Sequence, residues 1–238
     1  MDKLKKLLRI LANDAYRSSL TRGAAAGVEH LQVLRSLACD LVVDVGANRG
    51  QFALAARSAF PEARIVAFEP LEEPAVIFRR VFAVDPLVTL YPFALGDAEA
   101  EMVMHVSAAE DSSSLLPIGA AQTEHFPGTG EREQRAVQVA PLSRFIRSSE
   151  IPTGALLKID VQGYELAVLR GCANLIQSFS YVYVECSFLE LYQGQALAHQ
   201  VIAWLAEKGF DLAGVYNLCY NRQGVALQGD FLFVNRSR

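Results

Sequence analysis

A short apolar run, Leu41-Val42-Val43-Asp44-Val45, passes directly into Gly46-Ala47-Asn48-Arg49-Gly50 and then into the helix-like stretch Gln51-Phe52-Ala53-Leu54-Ala55-Ala56-Arg57. A bounded run of β-branched residues reads as a strand buried on both faces, which is the environment of a parallel sheet. The two glycines permit positive φ and a close backbone approach, and the first N–H groups of the helix have no partner within it. A strand that turns this sharply into a helix is therefore a ligand-binding corner of an α/β fold. Its spacing narrows the ligand. The dinucleotide fingerprint GxGxxG places its last glycine five residues after the first, whereas Gly46 and Gly50 are four apart with Asn48 between them. Asp44, two residues before the first glycine, would set a carboxylate beside the ligand, where a pyrophosphate would meet repulsion. Asp44, Gly46, Asn48 and Gly50 are the first candidate binding residues.

The rest of the chain repeats the strand-and-helix alternation. Residues 63–68 form the next apolar strand and end in Glu69-Pro70; an acidic residue there, about 20 residues past the glycine turn, accepts hydrogen bonds from ribose hydroxyls in folds of this kind. Strands are expected at 89–95, broken by Gly96-Asp97, and at 102–106 and 181–184. A helix at 197–208 containing Trp204 is stopped by Gly209, and 210–220 with 231–234 form two strands about a glycine-containing turn. The pattern predicts a single Rossmann-like α/β domain over residues 39–238, with a mostly parallel sheet, helices on both faces and a C-terminal antiparallel hairpin. Residues 1–38 read as a helical segment, a cap or dimer contact. Its first helix sets Leu4, Leu7, Leu8 and Leu11 in a stripe among Lys3, Lys5, Lys6 and Arg9, and a second helix is expected over 27–37.

Composition agrees with one ordinary core. The 238 residues are 52% hydrophobic and 20% charged, with a formal net charge of −4, which argues against disorder and gives no basic stripe for nucleic acid. Cys39, Cys172, Cys186 and Cys219 show neither a CxxC pair nor a disulfide spacing and are expected as free thiols. No run approaches the ~20 apolar residues of a membrane span, and no cleavable leader is legible, so a cytoplasmic protein is expected.

In order along the chain stand DVGANRGQFA, AFEP, ALGD, SSL, LLKIDVQGYELAVLRG and GDFLFV. In sequence and spacing these motifs resemble the FkbM family of methyltransferases, and the likeness runs from Leu41 to the C-terminal motif. The resemblance implies a class I methyltransferase fold, S-adenosyl-L-methionine as cofactor with S-adenosyl-L-homocysteine as product, and O-methylation of a small-molecule, sugar or glycolipid acceptor. On that reading Asp44 faces the methionyl amino group. Pro70 joins the glycine-turn residues and Glu69 around the cofactor, Leu95 and Gly96 line its pocket, and Asp97 caps the adenine side. Gln162 stands where the family pattern has a glutamate, Tyr164 where a histidine is frequent and Ser143 where an aspartate is usual.

A second cluster carries the chemistry. Strand alternation puts Lys158 and Asp160 on one face at the carboxyl end of a strand. They form either a structural ion pair or a catalytic pair in which Asp160 takes the acceptor proton and Lys158 orients the acceptor. Glu185, ending a neighbouring buried strand, is an acceptor ligand or a second base. Asp160 and Glu185 could share a divalent ion with acceptor hydroxyls, though no ligand motif requires a metal. The polar stretch 107–134, with three consecutive serines, is expected as a lid. Its Ser113 and Ser114 are candidate contacts and its His125 a weaker candidate base. Two other readings stay open: a non-catalytic cofactor-binding scaffold, and a nicotinamide-dependent oxidoreductase, for which no Tyr-x-x-x-Lys pair is seen.

Overall fold

A computed structural model describes residues 3–238. Its centre is β1 (Leu41–Val45), buried at every position. This strand pairs in parallel with β2 (Arg64–Phe68) on one side and β7 (Ala155–Ile159) on the other. Beyond β2 lies β3 (Val88–Tyr91), and beyond β7 lies β8 (Tyr181–Ser187), both parallel. The sheet is completed by β9 (Phe210–Tyr220) and β10 (Ala226–Asn235) in the order β3-β2-β1-β7-β8-β10-β9, with the last two antiparallel. The expected hairpin is present, with β10 longer than its apolar centre suggested.

Both faces are covered. Alternation sends Val43, Val45, Leu157, Ile159 and Val182 to one side. There they pack on α7 (Glu165–Gly171) and α8 (Ala198–Glu207) through Val168, Leu169, Val201 and Leu205. Val42, Leu156, Tyr183 and Leu232 point the other way. They meet α4 (Gln51–Ala59), α5 (Glu72–Val81) and the N-terminal helices α1 (Lys3–Leu11), α2 (Asp14–Thr21) and α3 (Leu31–Leu34).

The N-terminal segment thus supplies about a third of one core, with Ile10, Tyr16, Val28, Val33 and Leu34 all buried. Its details differ from the sequence expectation. The helix expected over 27–37 is a 3₁₀ turn, Val28–His30, followed by the single turn of α3. In α1 the leucine stripe does not face inward. Leu7, Leu8 and Leu11 are 44–58% exposed, and the buried residue is Ile10; an ion pair of Lys6 with Glu29 at 2.8 Å fixes the helix on this rotation. The Leu4 side chain lies outside the described residues.

The second difference is a small sheet. The strand expected at 89–95 is split at Pro92-Phe93. Its second part, β4 (Ala94–Leu95), leaves the main sheet to pair with β6 (Glu131–Ala140), which also pairs with β5 (Ala100–Ser107). The stretch expected as a lid is therefore partly ordered structure: it holds α6 (Ala120–His125) and the start of β6. Main-chain bonds join Ser114 to His105 and Gly119 to Leu191. Periodicity hid β6 because most of its residues up to Ala136 are polar and at least partly exposed. All four cysteines are free thiols.

Candidate active site

The register lines up the charged residues. Asp44 in β1 stands opposite Lys158 in β7, Lys158 opposite Tyr183 in β8, and Glu185 opposite Asp230 in β10. Partners in register, and residues two apart on one strand, share a face. Asp44, Lys158, Tyr183, Glu185 and Asp230 therefore lie on the α4 side, toward the carboxyl ends of the parallel strands, with Asp160 just past β7. A cavity of about 260 Å³ opens there. Its floor is Val45, Gly46, Ala47, Lys158 and Asp160, and its roof is Leu95 and Met104 from the small sheet with Leu115, which packs on that sheet.

At one end is the glycine turn. Gly46, Asn48 and Gly50 all have positive φ, at 77°, 46° and 90°. Gly46 admits no other residue without displacement, since a Cβ there would stand 1.9 Å from the Asp160 carbonyl oxygen. The Gly46 and Ala47 N–H groups both donate to the Phe68 carbonyl, at 3.1 and 3.0 Å, and so lock the turn onto β2. Glu69 locks it again: Oε2 accepts from Asn48 N at 2.9 Å and Oε1 from Leu71 N at 2.8 Å. Burial pushes the Glu69 carboxyl up to about 7, against the pull of those two N–H groups. Each carboxylate oxygen keeps a lone pair for a further donor.

In the middle is Lys158, 5% exposed. Its Nζ lies 3.1 Å from Asp44 Oδ1 and 3.7 Å from Asp160 Oδ2, donates to the Gly46 carbonyl at 3.3 Å, and sits 5.4 Å from the centre of the Phe52 ring. Burial works against its charge, but the two carboxylates outweigh it and hold the ammonium above the ordinary lysine value. Lys158 is thus a fixed cation. Asp44 is fully buried; burial raises its carboxyl, with Lys158 opposing. Apart from that ammonium neither Asp44 oxygen has a donor among the described residues.

At the far end Gln162, held at φ 55°, gathers the remaining groups. Its Nε2 donates to Asp160 Oδ1 and to Glu185 Oε2, both at 2.8 Å, and its Oε1 accepts from the Tyr192 hydroxyl at 2.9 Å. Glu185 Oε1 is taken by Gln228 Nε2 at 2.8 Å. Burial, then repulsion from Asp160 and Asp230, drives the Glu185 carboxyl well up. The Asp160–Glu185 pair considered for a metal is thus bridged by an amide. Ser114 Oγ donates to the Gln162 carbonyl at 2.6 Å, and Ser113 lines the cavity.

Of the residues singled out in the sequence, Gly46, Asn48, Glu69, Pro70, Leu95, Lys158 and Asp160 line the cavity. Asp44 lies beneath Lys158, Gly50 packs on Phe82 and Phe78, and Glu185 stands behind Gln162. Gly96 is a packing residue: a Cβ at Gly171 would meet its carbonyl oxygen at 1.9 Å. Asp97 is exposed, and His125 stands at the end of α6 away from the cavity. Sequence reasoning missed His30, Tyr183, Asn217 and Asp230, which form a polar cluster that reaches the cavity through His30. Asp230 belongs to the GDFLFV motif, the one signal that pointed there.

The sheet order, with parallel strands flanked by a C-terminal antiparallel pair and a glycine turn after the central strand, is the Rossmann-like arrangement expected from the sequence. The model of the Methyltransferase FkbM domain matches residues 44–212, and the chain belongs to that family. Among curated relatives it is 30% identical over 147 residues to the hexuronic acid methyltransferase AglP of Haloferax volcanii, covering 61% of this chain and 55% of that protein. The chain thus spans little more than half the length of AglP. It is 29% identical over 198 residues, 72% of each chain, to the 31-O-demethyl-FK506 methyltransferase FkbM of Streptomyces tacrolimicus. A solved structure it resembles is the precorrin-6y C5,15-methyltransferase of Geobacter metallireducens, at 11% identity, TM-score 0.46 and 86% of each chain. Among the described residues no helix is long and apolar enough to cross a membrane.

Proposed function

We propose that this methyltransferase moves a methyl group from S-adenosyl-L-methionine to a hydroxyl oxygen of a small-molecule or glycan acceptor, releasing S-adenosyl-L-homocysteine. The observation that carries the reading is the joint between the two ends of the cavity: a positive-φ glycine turn tied to the Glu69 carboxylate at one end, and the Lys158–Asp160 pair beside that same turn. Glu69 would take the ribose hydroxyls on its remaining lone pairs, and Phe68, Phe93 and Leu95 give an apolar wall for the base. Asp44, Asp160, Glu185 and Asp230 share one sheet face with a single lysine. That acidic excess favours a cofactor carrying a sulfonium and an ammonium group over an anionic one.

When bound, the cofactor supplies a methyl group already electrophilic enough to need no Lewis acid. The protein's part is alignment of the acceptor oxygen with the methyl at near-attack distance. Asp160 orients the acceptor, Lys158 holds Asp160 and the glycine turn in one frame, and Gln162 couples Glu185 to them. The ordered 107–135 segment would act as a lid through Asp111, Ser113 and Leu115, and the exposed leucines of α1 are the proposed dimer contact. The relatives named for a hexuronic acid and for 31-O-demethyl-FK506 favour an oxygen acceptor.

Calorimetric titration with S-adenosyl-L-methionine, S-adenosyl-L-homocysteine and NAD, on the wild type and Glu69→Gln, tests the cofactor. Binding of the first two, weakened ten- to a hundredfold in the variant as expected for ~1.5–3 kcal/mol of charge-assisted hydrogen bonding, supports the reading. Binding of NAD alone would overturn it.

A further inference from the structure

His30 ends the 3₁₀ turn before α3 and lies outside the matched family region, as does Asp230. The fold brings His30 to the cavity wall with Asp230 behind it. His30 Nδ1 is 3.2 Å from the Tyr183 hydroxyl and 3.5 Å from Asp230 Oδ2. Its ring is set edge-on to Phe52 with centroids 5.2 Å apart, and its side chain keeps 17% of its surface open. Tyr183 has one hydrogen and donates it to Asp230 Oδ2 at 3.1 Å, while Asn217 Nδ2 donates to the same oxygen at 2.8 Å and also lies 3.4 Å from His30 Nδ1 and 3.5 Å from the Tyr183 oxygen. The Asp230 carboxylate, 3.5 Å from Nδ1, favours an N–H on that nitrogen, which leaves the lone pair on Nε2. Nε2 has no protein partner among the described residues and is not sealed off, and His30 lines the same cavity as Lys158 and Asp160.

We propose that His30 is the general base of methyl transfer, with Asp230 and Tyr183 as its positioning residues; this rests on the hydroxyl-acceptor reading above. The acceptor oxygen attacks the methyl carbon, the carbon–oxygen bond forms as the carbon–sulfur bond breaks, and the sulfonium becomes a neutral thioether. The hydroxyl proton passes to His30 Nε2, and the imidazolium is stabilised by the Asp230 carboxylate before releasing its proton to water. The division of labour follows from the surroundings. Glu185 has both oxygens occupied and is held toward its neutral form, and Asp160 is engaged by Gln162 and Lys158. His30 alone offers the cavity an unpaired basic nitrogen with an acid behind it, the arrangement by which a carboxylate fixes the tautomer of a catalytic histidine.

The charged and titratable groups around His30 are Asp230 and Tyr183 behind it, Asp44, Lys158 and Asp160 across the sheet, and the Lys6–Glu29 pair beside it. The test uses the full chain in three arms. Long-range proton–nitrogen spectra of ¹⁵N-histidine-labelled protein, assigned with His30→Asn, should show His30 as the Nδ1–H tautomer, reverting toward Nε2–H in Asp230→Asn. An Nε2–H tautomer in the wild type would overturn the proposal. Release of S-adenosyl-L-homocysteine is then followed with methyl β-D-glucuronide as the acceptor probe. His30→Asn should bind S-adenosyl-L-methionine within twofold of wild type yet lose at least about a hundredfold in kcat. Unchanged turnover would sink the assignment. A wild type that binds cofactor but does not turn over the glucuronide would count against that acceptor class, while the tautomer still decides on His30.

Discussion

The two ends of the cavity keep buried acid by different means. Glu69 is held by main-chain N–H groups of Asn48 and Leu71, contributed within a few residues of a rigid turn. Asp160, Glu185 and Asp230 are held by side-chain amides of Gln162, Gln228 and Asn217, drawn from three separate strands and turns. Backbone donors cannot rotate away, so the first end is preorganised for one ligand shape. Side-chain amides can turn and exchange partners, so under the proposed function the second end is the one suited to different hydroxyl compounds, its charges staying compensated. In a family whose members serve unlike acceptors, this is the expected distribution of stiffness.

The largest test of the contrast is Lys158→Met, which removes the cation joining the ends and leaves Asp44 and Asp160 without it. A loss of about 3–5 kcal/mol is expected, read from urea unfolding, with the Asp44→Asn/Lys158→Met double variant recovering part of it. A loss below 1 kcal/mol would mean that the buried pair contributes little. Gly46→Ala comes next. It forces a side chain to positive φ against the Asp160 carbonyl, and should cost about 1–3 kcal/mol and remove measurable cofactor binding; calorimetry on the folded variant decides. The smallest effect is in pH. Burial lifts Glu69 and Glu165 each from 4.5 to about 7, and Asp44, Glu185 and Asp230 move the same way. Between 4.5 and 7 the native protein binds protons that the unfolded chain does not, so stability rises as pH falls from 8 toward 6. A melting temperature that drops over that range would contradict the pKa ordering of the site. Cofactor binding should move oppositely, weakening as Glu69 is protonated.

How much of this was legible in the sequence follows from how each part is assembled. The turn from Asp44 to Gly50 and the acid at Glu69 are local: every constraint, from φ to register, acts within one strand–turn–helix unit, and so the motif spells it out. The main sheet was readable for the same reason, through apolar runs bounded by glycines. The small sheet was not. Residues 131–136 are mostly polar and exposed on a strand whose inward side chains begin only at Val137, so neither periodicity nor apolar content marks it. The His30–Tyr183–Asp230 cluster was beyond reach because its members are about 150 and 200 positions from His30 and each looks ordinary alone. Gln162 was noticed only as a departure from the family pattern; its work as a bridge between two carboxylates depends on their spatial distance, which no single sequence records.

One feature of the sheet bears on how the molecule is made in the cell. Strand β10, the latest of the described strands along the chain, lies inside the sheet between β8 and β9, and carries Leu232 and Phe233 into opposite cores. During synthesis residues up to about 220 emerge before their inner neighbour exists. Until β10 arrives, β8 presents an open hydrogen-bonding edge, and Tyr183 and Ile10 belong to a core still lacking Leu232. Such an edge invites pairing with another chain. A nonsense change or proteolytic nick near residue 225 should therefore yield aggregation rather than a shortened soluble enzyme, and chaperone demand should peak just before β10 emerges.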